Sequence, residues 1–151
     1  MKRLIKRAGV IEVYHGTASD VVDAIKAEGI KPVVGGDGDG AYVSVDYEDA
    51  RNYAVARAGE KRKYEDQVPQ FAGVYPVVVV VRVDESELET GYNTNRFAPN
   101  GITSDKIVDV IDLSNDEYFQ ILLEAMDLER KGDSRANQLY QEYSKYTFKY
   151  V

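Results

Sequence analysis

At 151 residues, with 44% hydrophobic and 30% charged side chains, the chain has the make-up of one globular domain with a core of its own, which excludes an intrinsically disordered protein. The absence of cysteine excludes disulfides, thiol catalysis and cysteine-based zinc sites, and fits a reducing, cytoplasmic setting. A formal charge of -7 speaks against a protein built to grip a phosphate backbone, and the most apolar run, Pro76 to Val81, is far below the roughly 20 residues of a membrane span.

Met1 to Arg7 is basic, but no apolar segment follows, so it does not read as a signal peptide. Gly9 to Tyr14, carrying Val10, Ile11 and Val13, predicts a first strand that delivers His15, the single histidine, at its end. His15 beside Gly16 joins a group that exchanges hydrogen bonds near neutral pH to a backbone that a ligand can approach. A structural histidine fits the same pattern.

Thr17 or Ser19 is placed to cap a helix from about Asp20 to Glu28, with Val21, Val22, Ala24 and Ile25 as its apolar stripe and Gly29 as its stop. Gly35 to Gly40 is glycine-rich but lacks the Lys-Ser or Lys-Thr of a phosphate loop. Its two aspartates would repel phosphate, and no glutamate follows at calcium-loop spacing. It reads as a loop.

Ala41 to Val45 alternates as a second strand, with Tyr42 and Ser44 on one face. Asp46, with Asp49 three positions on, starts a helix expected to run to about Ala58; on it Tyr53 shares a face with Ala50 and Ala54, as core filler or as a pocket wall. Glu60 to Gln70 is charged and expected to loop. Gly73 to Asp84, with five consecutive valines, predicts a central strand buried on both faces.

An acidic turn is expected over Glu85 to Thr90, a strand within Tyr92 to Pro99, and another over Lys106 to Leu113. Ser114 to Glu117 opens a helix reaching about Arg130, and Gly132 and Asp133 divide it from a second helix, Ser134 to about Tyr146. The last aromatics, Tyr140, Tyr143, Tyr146, Phe148 and Tyr150, interleave with Lys145 and Lys149; packing on the body or a partner is favoured over stacking on nucleic-acid bases.

The order of these pieces resembles the catalytic domain of ADP-ribosyltransferases of the diphtheria-toxin and poly(ADP-ribose) polymerase type. The resemblance rests on His15-Gly16-Thr17, Ile25, Gly29-Ile30, Gly40-Ala41-Tyr42 and Asn52-Tyr53, with the second tyrosine eleven positions after the first. It is dense over residues 10 to 54 and loose to about 113. It implies an α+β fold with a split, mainly antiparallel sheet, flanking helices, and residues 114–151 as a C-terminal helical extension packed on domain 1–113.

By the same resemblance NAD is the substrate. Its nicotinamide is clamped between Tyr42 and Tyr53, the Gly16 backbone meets the carboxamide, His15 holds a hydroxyl of the adenosine ribose, and Thr17 steadies the turn; Tyr14 and Ser44 belong to the same cofactor-binding set. The family's later glutamate maps to Asn95, which carries no acid, and Glu85, Glu87 and Glu89 are the nearest substitutes. Family members without the glutamate are mono-ADP-ribosyltransferases or have lost activity, so chain formation is not expected. The implied partner is a macromolecular acceptor, protein favoured over nucleic acid, with no metal and no membrane. The compact size is compatible with a toxin or phage-borne effector. An RNA 2′-phosphotransferase-like enzyme and a degenerate module that binds NAD or a partner without turnover are the alternatives.

Overall fold

The computed structural model describes residues 9–35 and 38–147. The chain forms β1 (Val10–Ala18), α1 (Val22–Glu28), β2 (Ala41–Ser44), α2 (Tyr47–Lys63), β3 (Pro76–Asp84), β4 (Glu89–Thr90), β5 (Asn95–Ala98), β6 (Ile107–Asp112), α3 (Glu117–Arg130) and α4 (Arg135–Thr147). The strands follow the order β4-β5-β2-β1-β3-β6, and β1–β2, β2–β5 and β4–β5 pair antiparallel. The expected class, α+β on an antiparallel sheet with helices closing the chain, is the observed one.

The chain divides into two compact units. Among the described residues, the first holds 9–15, Asp23–Ala50 and Val79–Val110; the second holds Gly16–Val22, Arg51–Val78 and 111–147.

In the first unit β2 is held to β5 over four residue pairs, from Ala41 opposite Ala98 to Ser44 opposite Asn95. Behind α1, Gly29 adopts φ +78°, and a side chain there would strike the backbone at Ile102 to Ser104, so only glycine lets Ile30 and Ile102 exchange their two backbone hydrogen bonds. β3, whose first three residues belong to the second unit, is buried at every position from Pro76 to Val81, as the unbroken run of β-branched residues predicts.

The second unit is built on Val55, Ala58, Val74, Phe119, Leu122, Met126 and Tyr143. The sequence expectation ends α2 near Ala58, but the helix runs on to Lys63, through Gly59. That glycine lies inside the helix, where a Cβ would collide with Leu122 of α3, and its bareness lets the two helices close. Asp116 caps α3 by accepting from Tyr118 and Phe119 N–H, and its carboxylate also takes Arg51 Nε at 2.5 Å. Lys61, almost wholly buried, is paired with Asp20 at 2.7 Å. The closing aromatics pack as expected where described: Tyr143 is buried and Tyr140 lies against the same core. The side chain of Tyr146, along with Phe148, Lys149 and Tyr150, the basic run Met1 to Arg7 and loop residues Gly36 and Asp37, lies outside the described residues.

Candidate active site

β1 does not end before His15, as expected from the sequence, but continues to Ala18, so the histidine stands within the strand. Its Nδ1 is 2.7 Å from the carbonyl oxygen of Tyr42 on the neighbouring strand. A carbonyl only accepts, so the proton of that bond belongs to Nδ1. Burial pushes the pKa of the ring below its ordinary 6.5, outweighing the opposing effect of the hydrogen bond to Tyr42. The ring is therefore neutral at pH 7 and Nε2 carries a lone pair.

Tyr42 is half-buried. Its hydroxyl donates to the carbonyl of Gly38, and its ring lies 5.8 Å from that of Phe97, tilted by 35°. The glycines of the preceding loop have a steric reason here. A Cβ at Gly35 would strike the Tyr42 ring and hydroxyl, and one at Gly38 would strike the Phe97 ring. The loop closes on itself where Val33 and Gly40 exchange backbone hydrogen bonds at 2.9 Å.

Tyr14 faces Ser44 across β1–β2 and Ser44 faces Asn95 across β2–β5, so the three stand in one row on one side of the sheet, the side that Tyr42 also shares. Tyr14 meets Tyr47 edge to face at 5.5 Å. Ser44 is buried; its hydroxyl accepts from Asp46 N–H at 3.0 Å and donates to Thr94 Oγ1 at 3.1 Å, and Thr94 in turn donates to the Asp49 carboxylate. Asn95 opens β5 and is exposed.

Thr94 and Asp49 were not legible as site neighbours. Asp49 reads in the sequence as a helix-start residue, and that half is met, since its N–H donates to Asp46 Oδ2 at 3.1 Å. Its carboxylate is used elsewhere. The signal for Thr94 is the Asn93 before it, which takes φ +53°, a backbone state that asparagine tolerates better than most residues.

Gly16 and Thr17 are buried in the later part of β1, in the second unit. Tyr53, also in that unit, is 62% exposed and does not fill the core: the buried stripe of α2 runs through Ala50, Ala54, Val55 and Ala58, and Tyr53 falls beside it with Arg57 and Glu60. Glu85, Glu87 and Glu89 are exposed. Glu87 and Glu89 line a cavity of about 590 Å³ with Lys106, Asn100 and Ile102, and its walls include neither His15 nor Tyr42 nor Asn95. The described residues contain no group of three or more side chains arranged to hold a metal, and no helix among them is long and apolar enough to cross a membrane. No protein-family model matches the chain, and no curated protein matches it.

Proposed function

We propose that the protein is an NAD-dependent mono-ADP-ribosyltransferase that moves ADP-ribose from NAD to a macromolecular acceptor and releases nicotinamide. The observation that carries this reading is the 2.7 Å bond from His15 Nδ1 to the Tyr42 carbonyl. It ties together two of the motifs on which the resemblance rests, those of His15 and Tyr42, and it leaves Nε2 as the acceptor that a ribose hydroxyl requires. In support, the half-buried ring of Tyr42, tilted against that of Phe97, supplies a flat face for a pyridinium.

In the reaction the bond from the ribose anomeric carbon to the nicotinamide nitrogen breaks, and its electron pair leaves with neutral nicotinamide. The oxocarbenium-like centre is captured by a nucleophilic acceptor atom, which then gives up its proton. The resemblance assigns to Asn95 the place of the carboxylate that would offset the developing positive charge. An amide hydrogen-bonds to a ribose hydroxyl but supplies no negative charge, so turnover is expected to be slower than in a site that carries the acid.

Binding of NAD without turnover is the second reading, and one observation favours it: the nearby glutamates Glu87 and Glu89 face a cavity that Asn95 does not line. Labelled NAD with a cell lysate separates the two. The transferase reading expects label on lysate proteins from the wild type and at least tenfold less from His15→Ala. Equal labelling by both proteins would refute it, and NAD binding with no nicotinamide released over hours would select the second reading.

A further inference from the structure

We propose that Asp49 and Thr94 are positioning residues of the candidate site, holding the first residue of β5, Asn95, against Ser44 of β2. The inference rests on the transferase reading and adds to it two residues that the resemblance does not include.

The departure from ordinary helix capping is what draws attention to Asp49. Asp46 and Asp49 occupy the two positions of a capping box at the start of α2, in which each side chain would bond the other residue's N–H. One half is present, from Asp49 N–H to Asp46 Oδ2 at 3.1 Å. The other is not: Asp46 N–H goes to Ser44 Oγ at 3.0 Å, and the Asp49 carboxylate takes the hydroxyl of Thr94. A carboxylate that would serve its own helix is committed to a turn 45 residues away.

That turn needs holding. Asn93 sits at φ +53°, a state disfavoured for a side-chain-bearing residue, and Thr94 comes directly after it. Thr94 is fixed by its carbonyl, which accepts from Val45 N–H at 3.0 Å, and by its hydroxyl, which accepts from Ser44 and donates to Asp49. Within the turn Asn95 N–H reaches the Tyr92 carbonyl and Gly91 N–H reaches the Asn95 carbonyl, both at 2.9 Å. An ionised carboxylate only accepts, so the chain runs one way, from Asp46 N–H through the hydroxyls of Ser44 and Thr94 to Asp49. With its proton committed to Thr94, Ser44 has only a lone pair left for any further partner, and Asn95, its cross-strand neighbour, inherits a fixed place.

The test compares wild type with Asp49→Ala, Thr94→Val and Thr94→Ser by amide hydrogen exchange and by nicotinamide release from NAD. Asp49→Ala and Thr94→Val are expected to exchange at least tenfold faster at the amides of Val45, Gly91 and Asn95, with the amides of Val79 to Val81 unchanged. They are also expected to lose about tenfold in kcat with KM for NAD within about twofold, while Thr94→Ser, which keeps the hydroxyl, stays near wild type in both. Unchanged exchange at those three amides would overturn the proposal, whatever the activity. So would faster exchange with wild-type kcat in an active enzyme. A wild type that releases no nicotinamide would refute the transferase reading alone, because the exchange ratios still decide whether Asp49 and Thr94 hold the start of β5.

Discussion

The behaviour of His15 follows from two facts about one ring: burial favours its neutral form, and a carbonyl fixes where its proton sits. Because the folded ring protonates less readily than an exposed one, the unfolded chain takes up the extra proton first as pH falls. Above about 6.5 the ring is neutral in both states and contributes no pH dependence; below it the folded state loses stability until the pH passes the lowered folded value. Thermal melts from pH 8 to pH 5 should therefore fall more steeply for wild type than for His15→Gln, whose amide does not titrate. Parallel curves would contradict the neutral, buried ring. Little of this was legible beforehand. The sequence places a histidine beside a glycine, but its proton is assigned by a carbonyl 27 positions away.

Elements were easier to read than contacts. Runs of valine and caps such as Asp46 and Asp116 act within a few residues, so the strands Ala41–Ser44 and Pro76–Asp84 and the starts of α2 and α3 lie close to where periodicity predicts them. The departures come from partners distant in the chain. The helix expected to end near Ala58 continues through Gly59, whose bare surface Leu122 needs, and Tyr53, open in the sequence between core filler and pocket wall, lies beside the buried stripe. Asp116 does two jobs, as the cap of α3 and as the partner of the largely buried Arg51, whose guanidinium also lies 3.9 Å over the Tyr118 ring. Asp116→Ala removes the cap and leaves that cation short of its carboxylate, and should destabilise by about 3 kcal/mol in urea unfolding. Asp116→Asn, which keeps the cap, should lose about 1 kcal/mol less. Equal losses would show that the cap contributes nothing.

At the scale of the molecule, the antiparallel ladder of β1, β2 and β5 brings residues 14, 44 and 95 into one row and sets the His15 ring at the Tyr42 backbone. Local patterns predicted each of these strands; the pairing that aligns them joins residues fifty and more positions apart, as Ser44 to Thr94 and Ala41 to Ala98, and no periodicity reports it. What tests the account most directly is calorimetric titration of NAD into wild type and into His15→Ala at pH 7.5. The account expects saturable binding by the wild type and at least tenfold weaker binding by the variant. Equal affinity in the two proteins, or no binding by the wild type, would contradict it.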